Sequence, residues 1–500
     1  MTGVPGGGKS SAMRDDLLST SALYVLALPR TELIDEVVAD LNKTADERGV
    51  NLIIEPIHSR QDREGRNVRR RVHDALVRRE PDQHRVVLVT HETLLTLDPA
   101  HLDGVDVRMD ETPDGAILSG EFHGKMGSHV LEHHFILEPL DDGSPRSMLR
   151  MRPGVEPITP AAYTGGATEI TAVLKAASNR NRTVAVDLRS WDEARITGRR
   201  VRWWSIWTPM ALKGAATVGL AASGFRDSLL ARACTKLHGD DLAIEFVDVA
   251  HGARRANPKI RVHYFTPHRG STAWWQSDQG SRCLVAISRH LEGIGFDGYW
   301  SCNEAIRPYF IHRFGGDACA PRLAGTNSLR HHRAVAYIYS NKAQKADDAI
   351  LEFLDLDKEA ITRVREDEDI AQIVMRGAIR DPSYDGDYDI YLYDRHQAEE
   401  LRDYLIEHRV SDRVRVVPVV EAGIMNVRRP RSSKTAGDDG CRASPLSLEA
   451  RRRRDLTAGR LRQQRRRDAA REQRRAAGHP IRKPGRPRKD AIPSVPTPRA

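Results

Sequence analysis

Short apolar runs alternate with amphipathic stretches along the first part of this 500-residue chain. Four stretches rich in apolar residues are short and flanked by polar positions, and they are predicted to be strands. They lie at 22–28, 51–54, 86–89 and 105–109. Helices are predicted at 10–18, at 31–41 and, with an Arg-rich polar composition, at 60–79. Strands that alternate with helices indicate a parallel sheet with both faces covered.

A second alternating set follows after residue 259. Its predicted strands lie at 260–265, 334–339, 389–392 and 413–420. Between the two sets, from about residue 120 to 200, strands and helices no longer alternate clearly. The chain is therefore predicted to be an α/β protein with two similar lobes and an insertion or linking region. The predicted domains are lobe 1 at 1–120, the insertion at 121–200, the end of lobe 1 with the connection at 201–258, lobe 2 at 259–427 and a tail at 428–500.

Charge divides the chain at about residue 428. The segment 428–500 holds 23 of the 78 Lys and Arg residues and 7 of the 69 Asp and Glu residues, so it carries +16 and the rest carries −7. Such a composition cannot bury enough apolar surface to fold alone, so the tail is predicted to be disordered or helical. A basic tail on a mildly acidic body predicts nucleic acid, in particular DNA, as a partner.

Apolar runs and cysteine spacing exclude several classes of protein. No apolar run reaches the roughly 18 residues of a membrane span. The five cysteines are scattered without a C-x-x-C pair, so zinc and disulfide sites are not predicted from them. These features favour a reduced, cytoplasmic chain with no membrane partner.

The chain opens with a candidate phosphate-binding loop. Residues 3–10 read GVPGGGKS and fit G-x-x-x-x-G-K-[ST] at every position. In such a loop the backbone N–H groups cradle phosphates, Lys9 reaches the β- and γ-phosphates of ATP, and Ser10 holds Mg²⁺. The glycines that shape the predicted loop are Gly3, Gly6, Gly7 and Gly8.

A loop of this kind normally follows a buried strand, but only Met1 and Thr2 precede it. Without that strand, its neighbours would lose pairings worth about 1–3 kcal/mol each. We therefore expect a gap in the sheet beside the strand that ends at Asp110. An upstream start or a truncated gene is the expectation that follows, with impaired ATPase activity in this chain.

Acidic and basic residues elsewhere match the needs of phosphoryl transfer. Asp110 and Glu111 end a predicted strand, where the first would organise the Mg²⁺ shell and the second would orient and deprotonate the attacking water. Arg376 and Arg380 are spaced to give one basic edge, and guanidinium groups neutralise charge on transferred phosphates. Judged by spacing alone, these arginines fit an ordinary surface helix equally well.

Several segments resemble the ordered motifs of superfamily-2 helicases and translocases, in particular their DEAD/DEAH-like phage and mobile-element members. The segments lie at 3–10, 27–33, 90–94, 110–111, 221–225, 325–327 and 372–380. Random matches rarely fall in the family's order over such a length. The departures from the family pattern are Thr112-Pro113 after the acids, Met375 in place of a usual Gly, and Arg380 one position late.

The resemblance implies two RecA-like P-loop lobes with parallel sheets, ATP bound between them, and ATP-dependent helicase or translocase activity. It implies catalytic roles for Gln372, Arg376 and Arg380 on the second lobe, of which Arg376 is the firmer arginine finger. The residues that it places near the nucleic-acid backbone are Arg30, Thr31, Thr90 and His91.

The tail contains a segment that resembles an AT-hook. Residues 482–489 read RKPGRPRK, with a core of Gly485, Arg486, Pro487 and Arg488. Such an extended core would enter the narrow minor groove of A·T-rich DNA. A plain basic linker is the alternative interpretation.

Two other functions fit parts of this sequence. A phage terminase-type packaging ATPase would need a nuclease with converging acids, and Asp385, Asp387 and Asp389 are the candidates, although acids around Gly386 usually mark a turn. A DNA-binding protein with a decayed ATPase core is the second alternative.

Tryptophans and paired histidines offer two further candidate features. Trp203, Trp204 and Trp207 could stack on bases, but their apolar surroundings favour positions in a core or a lobe interface. The His-His pairs at 133–134 and 331–332 lack metal-like partners in the sequence.

Overall fold

The computed structural model describes residues 1–61, 68–78, 83–123, 131–140, 146–155, 168–187, 191, 193, 196–249, 256–322 and 328–427, which belong to one structural unit. Its strands are β1 (Leu23–Leu28), β2 (Ile53–Pro56), β3 (Arg85–Thr90), β4 (Asp106–Asp110), β5 (Ile117–His123), β6 (Phe135–Pro139), β7 (Arg146–Met151), β8 (Arg182–Asp187), β9 (Arg200–Trp207), β10 (Thr217–Ala221), β11 (Lys259–Thr266), β12 (Tyr299–Cys302), β13 (Asp317–Ala318), β14 (Ala334–Ile338), β15 (Asp387–Asp394) and β16 (Val414–Pro418). Its α-helices are Lys9–Ser19, Thr31–Arg48, Val68–Val77, His91–Leu94, Thr168–Ala177, Leu229–His238, Thr272–Trp275, Asp278–Gly293, Asp348–Phe353, Lys358–Thr362, Glu368–Val374 and Arg395–Glu407.

Lobe 1 is built on a sheet with the strand order β10-β4-β1-β3-β2, in which every pair is parallel. Alternate residues of β1 face opposite sides of this sheet. Val25 packs with helix Val68–Val77, whereas Leu26 packs with helices Lys9–Ser19 and Thr31–Arg48. The strands predicted for this lobe are confirmed, each to within two residues at its ends.

The first two residues lie against β10 and not beside β4. The Met1 amino group donates to the carbonyl oxygen of Leu220 at 2.7 Å, and Thr2 forms a parallel bridge with Asp248. The expected gap beside the strand that ends at Asp110 is wrong, because β10 returns to the sheet and pairs with β4 there. The sequence separates β4 from β10 by the whole insertion and gives no sign of their pairing.

The chain between β4 and β10 forms a second, antiparallel sheet with the strand order β5-β9-β8-β7-β6. Helix Thr168–Ala177 packs on this sheet, and its Val173 shares a core with Trp203. The sequence pattern predicted none of these strands, because most positions of β5 and β6 are partly or fully exposed and form no apolar run. The sheet spans 117–207, which is wider than the predicted insertion at 121–200.

Lobe 2 contains a six-stranded sheet with the order β13-β12-β14-β15-β11-β16, and all of its pairs are parallel. The four strands predicted for this lobe correspond to β11, β14, β15 and β16. The strands β12 and β13 were not predicted. The chain is therefore an α/β protein with two RecA-like lobes on parallel sheets, as the sequence indicated.

The insertion continues from the strands of lobe 1 and also contacts lobe 2. The carboxylate of Asp347 accepts a hydrogen bond from the Ser119 hydroxyl at 2.8 Å and two from the Arg365 guanidinium at 3.0 Å each. Hydrogen bonds to charged groups are stronger than those between neutral groups. These contacts hold the first strand of the insertion to lobe 2.

The three neighbouring tryptophans occupy core and interface positions, as predicted. Trp203 lies in the core of the insertion and Trp207 in the core of lobe 1. Trp204 stacks on Phe353 of lobe 2 with ring centroids 4.4 Å apart. Each of the three is at most 3% exposed, so none is available to stack on a base.

The described residues contain neither a membrane-spanning helix nor a disulfide bond. None of the described helices is both long enough and apolar enough to cross a membrane. The cysteines in the same part of the chain, Cys234, Cys283, Cys302 and Cys319, form no disulfide.

Candidate active site between the two lobes

The loop before helix Lys9–Ser19 turns through left-handed backbone conformations. Gly6 has a φ of 76°, and Gly8, which caps the helix, has a φ of 87°. Residues with a side chain rarely adopt such angles, so glycine is required at both positions. The Gly7 N–H donates to the carbonyl oxygen of Val4 at 3.0 Å and closes the turn. The first N–H groups of a helix point towards its N-terminus, where an anion can bind them.

Lys9 is buried at the first position of the helix, with 9% of its surface exposed. Its Nζ donates to the carbonyl oxygens of Gly3 at 2.8 Å and Val4 at 2.7 Å. Burial lowers the pKa of the Lys9 ammonium to about 8, although the carboxylates of Glu368, Glu111 and Asp110 favour the charged form. The lysine is therefore a cation in a confined site surrounded by acidic groups.

Ser10 and Asp110 meet at the end of β4. The Ser10 hydroxyl donates to Oδ1 of Asp110 at 2.7 Å. Burial raises the pKa of the Asp110 carboxyl, and the hydrogen bond from Ser10 opposes this rise. A hydroxyl and a carboxylate are hard oxygen donors of the kind that Mg²⁺ prefers, so this pair fits the predicted metal.

Glu111 follows β4 in a left-handed conformation with a φ of 71°. This conformation costs a residue with a side chain about 1 kcal/mol or more of free energy, and such residues concentrate at functional sites. The Glu111 N–H donates to the carbonyl oxygen of Ala221 at 2.9 Å, which fixes the turn against β10. Burial raises the pKa of the Glu111 carboxyl, and the guanidinium of Arg376 opposes this rise.

Arg376 reaches Glu111 from the other lobe. It follows helix Glu368–Val374 of lobe 2, is only 5% exposed, and places Nη2 at 3.6 Å from Oε1 of Glu111. Its Nε is buried and has no hydrogen-bond partner within the described residues. A buried guanidinium that is incompletely satisfied has capacity for a further acceptor.

Arg380 covers the phosphate loop itself. A Cβ atom placed on Gly6 would lie 3.0 Å from Cγ of Arg380, so the two residues are in close contact. Burial lowers the pKa of the Arg380 guanidinium to about 10, with further lowering from the charges of Arg376 and Arg330. Both predicted arginines of lobe 2 therefore converge on the loop and the acids of lobe 1.

Gln372 contacts this site through an intermediate residue. Its Nε2 donates to Oε1 of Glu368 at 3.2 Å, and the same carboxylate accepts a hydrogen bond from the Ser223 hydroxyl of lobe 1. A Cβ atom on Gly224 would lie 2.8 Å from Oε2 of Glu368. Sequence reasoning missed Glu368, and the only signal for it was an acid four residues before Gln372 on one helix.

The residues predicted to contact nucleic acid lie where β1 and β3 end side by side, since Leu28 pairs with Thr90. Arg30 precedes helix Thr31–Arg48, and its Nε is buried without a partner within the described residues. Thr90 caps the next short helix by accepting from the Thr93 N–H at 3.4 Å.

His91 is the exception among these four residues. It is 4% exposed, and burial lowers the pKa of its imidazole to about 4. Its ring is therefore neutral and buried in this structure, and its contact with nucleic acid remains a prediction. Thr90, which precedes it, is half-buried, and the motif alone does not separate the two residues.

Two segments with predicted roles lie outside the residues that the structure describes. They are the segment 325–327 and the AT-hook-like core at 485–488. Their predicted roles are left as predictions.

The acids that a terminase-type nuclease would need are already paired with basic groups. Arg261 contacts Asp387 at 3.1 Å and Asp389 at 2.6 Å, and Nε2 of His263 lies 2.8 Å from Asp389. Although burial acts to raise it, these hydrogen bonds hold the pKa of the Asp389 carboxyl well below its usual range. The cluster thus carries its own cations, which disfavours a two-metal nuclease site.

Comparison with known proteins identifies no matching family model and no matching curated protein. Among solved structures, the chain is similar to an XPD helicase at 8% identity over 84% of this chain and 95% of that chain, with a TM-score of 0.44. It is also similar to S. cerevisiae Dbp5 bound to RNA and ADP BeF3, at 9% identity over 84% of each chain with a TM-score of 0.33. The Mycobacterium smegmatis helicase Lhr bound to ssDNA and AMP-PNP is similar at 12% identity over 83% of this chain and 46% of that chain, with a TM-score of 0.35. These likenesses concern the fold, and the chemistry of the site follows from its own geometry.

Proposed function

We propose that this protein hydrolyses ATP between its two lobes and uses the cycle to move along nucleic acid or to separate its strands. The observation that carries the proposal is the 3.6 Å approach of Arg376 on lobe 2 to Glu111 on lobe 1, beside the buried Lys9. An arginine finger, a residue that acts on water and a phosphate-binding cation are the groups that ATP hydrolysis between two lobes requires.

Lys9 would bind the phosphates of ATP. Its ammonium is held by two carbonyl oxygens of the loop, and phosphate oxygens would replace them with stronger, charge-assisted hydrogen bonds. The start of helix Lys9–Ser19 would add backbone N–H donors. Ser10 and Asp110 would hold Mg²⁺, which supplies neutralisation of charge on the β- and γ-phosphates.

Glu111 would orient the attacking water and accept its proton. The left-handed turn and the bond to Ala221 hold its carboxylate at the end of β4, next to the residues that would bind the phosphates. Arg376 would leave Glu111 when the γ-phosphate arrives and would stabilise charge that develops during transfer. Arg380, packed on Gly6, would neutralise charge at the phosphate loop from the same lobe.

Nucleic acid would bind at the ends of β1 and β3, where Arg30, Thr31 and Thr90 lie. DNA is the proposed partner of both the core and the basic tail, with RNA as the alternative for the core. Closure of the lobes on ATP and opening after hydrolysis would step the protein along a strand. Glu368, which contacts Ser223 and Gln372, is a direct link between lobes that such a motion would change.

Hydrolysis by the full chain with Glu111→Gln, measured with and without single-stranded DNA, tests the proposal. The substitution keeps the shape of the side chain and removes its base, so turnover should fall by roughly 10²-fold or more while nucleotide binding persists. Glu47→Gln is the matched control, because Glu47 is an exposed carboxylate of lobe 1 paired only with Lys43 on the same helix.

The possible outcomes separate the three functions. Unchanged turnover in Glu111→Gln would contradict the role of that residue. No hydrolysis by the unaltered chain, together with tight DNA binding, would favour the DNA-binding protein with a decayed core. Metal-dependent cutting of plasmid DNA would favour the terminase-type enzyme.

A further inference from the structure

Three side chains that commonly bind metals meet at one edge of the lobe 2 sheet. Asp317 begins the edge strand β13, and His331 and His332 lie just before β14. One donor atom from each residue lies within 4.8 Å of the other two. Asp317 and His331 are exposed, whereas His332 is buried with 9% exposure. No other described group of three metal-ligating residues is as close together.

The backbone fixes the position of Asp317. Gly316 has a φ of 86°, and a Cβ atom at this position would lie 1.8 Å from the carbonyl oxygen of Gly298. Only glycine can occupy such a place, so the chain must turn closely past Gly298 before it reaches Asp317. The Asp317 N–H then donates to the same carbonyl oxygen at 3.0 Å. The carboxylate is thus presented from a constrained turn.

The backbone also fixes His332. Its N–H donates to the carbonyl oxygen of Leu329 at 3.1 Å, and its carbonyl oxygen accepts from the Ala378 N–H at 2.9 Å. Its Nε2 lies 2.9 Å from Oδ2 of Asp317. Two of the three donors are therefore already adjacent and held by main-chain bonds, while the exposed His331 can adjust by side-chain rotation.

The donor set favours a particular class of ion. Imidazole nitrogen combined with carboxylate oxygen suits Zn²⁺ and neighbouring transition metals, whereas Mg²⁺ prefers oxygen donors alone. Ligand bonds to Zn²⁺ are about 2.0–2.2 Å long, so tetrahedral donors are separated by roughly 3.4 Å. The donor atoms of Asp317 and His332 are 2.9 Å apart and all three donors lie within 4.8 Å of one another, so small side-chain rotations would give this separation. A water molecule would complete the coordination on the exposed side.

We propose that Asp317, His331 and His332 form a binding site for one divalent transition-metal ion, for which Zn²⁺ is the natural probe. The His-His pair at 331–332 is visible in the sequence, but its carboxylate partner is not, because Asp317 lies 15 positions before His332 and is not part of a spaced motif. The proposal does not depend on ATP hydrolysis, since it concerns a different group of residues.

Occupancy of the site would restrain the loop that carries the two arginines. Ala378 lies between Arg376 and Arg380 in the chain, and its N–H is bonded to His332. A metal that fixed the His332 backbone would limit movement of this loop. The metal would therefore act as a structural support for lobe 2.

The test uses the full, untagged chain after treatment with a chelator and dialysis. Zn²⁺ binding is measured by titration calorimetry, and Co²⁺ is added separately to detect the visible absorption of a tetrahedral nitrogen–oxygen site. His331→Gln is the first variant, because an exposed side chain can be changed without disturbing the fold. His133→Gln with His134→Gln is the matched control, since this other His-His pair does not belong to a described group of three potential metal ligands.

The proposal predicts that the unaltered chain and the control bind one more equivalent of Zn²⁺ than His331→Gln does. Asp317→Asn should lose the same equivalent and the Co²⁺ absorption, while Mg²⁺ should not compete. Equal stoichiometry and affinity in all four proteins would overturn the proposal, as would a failure of the unaltered chain to bind Zn²⁺. If Asp317→Asn fails to fold, His331→Gln alone decides the question.

Discussion

Arg376 and Glu111 belong to different lobes, yet their charged groups lie 3.6 Å apart. Each group lowers the electrostatic cost of burying the other, because opposite charges at this distance attract strongly in a confined site. A γ-phosphate placed beside them would compete with Glu111 for the guanidinium. In the proposed reaction, nucleotide would have to break this ion pair before Glu111 could act on water.

Replacing Arg376 should separate binding from hydrolysis. Arg376→Ala should slow hydrolysis by roughly 10³-fold and change ATP affinity little, because an arginine finger stabilises the transition state more than the ground state. Single-turnover hydrolysis and nucleotide binding measure the two effects. Arg395→Ala is the control, since Arg395 is exposed and pairs with Glu399 on its own helix. A larger loss of hydrolysis in Arg380→Ala would assign the finger to Arg380.

Lys9 should make ATP binding depend on pH. Its pKa is lowered to about 8, so the protein without nucleotide loses the ammonium as the pH rises through that value. ATP binds the charged form, so binding should take up a proton, and the apparent Kd should rise by up to about tenfold per pH unit above 8. Calorimetry in buffers of different ionisation enthalpy measures the uptake. Lys9→Met should bind weakly and take up no proton, and a constant Kd from about pH 7 to about pH 9.5 would contradict the role of Lys9.

Ser223 and Glu368 should act as one unit between the lobes. Ser223→Ala and Glu368→Ala should each reduce the stimulation of hydrolysis by nucleic acid, and the double variant should be little worse than Glu368→Ala alone. The physical reason is that each change removes the same hydrogen bond. Ser228→Ala, which removes a helix cap, should instead cost about 1 kcal/mol of stability and leave stimulation intact. Additive losses in the double variant would show that the two residues act separately.

The basic tail should bind DNA in two separable ways. The full chain should prefer A·T-rich over G·C-rich duplex, and Arg486→Ala should remove this preference, because the narrow minor groove would lose its guanidinium. The salt dependence should change little, since the clusters at 451–454 and 465–467 still release counterions from the backbone. Arg466→Ala is the control and should keep the preference. If the unaltered chain binds the two duplexes with equal affinity, the segment at 482–489 is a plain basic linker and not an AT-hook.

Several parallel strands of the lobes, such as β1, β3 and β14, could be predicted because they are buried on both faces, whereas β10, β12 and β13 were not predicted. A strand such as β3, with five successive buried residues, appears in the sequence as a continuous apolar run. Lys9, Ser10 and the acids at 110–111 could be predicted because the chemistry restricts each position to one or two residue types. The proximity of Ser10 to Asp110 then followed from the way that parallel strands end at one edge.

Other features could not be predicted because they depend on contacts between residues that are far apart in the sequence. β10 lies beside β4 although the insertion separates them, and Glu368 gains its neighbours only when the lobes meet. The strands β5 and β6 of the insertion have exposed positions on both faces, which weakens their apolar signal. Burial of His91 likewise depends on the packing around a short helix and not on its motif.

The pairing of the first residues with remote segments bears on how the protein folds. Met1 is bonded to Leu220, 219 positions away, and Thr2 is bridged to Asp248. Contacts between distant segments form slowly, because closing a long loop costs entropy before the contact repays it. During synthesis, β4 cannot gain its neighbour β10, nor Met1 and Thr2 their contacts, until those later segments have been made. Until then the sheet of lobe 1 is incomplete and one edge of β4 is unpaired, which is the kind of surface that chaperones recognise.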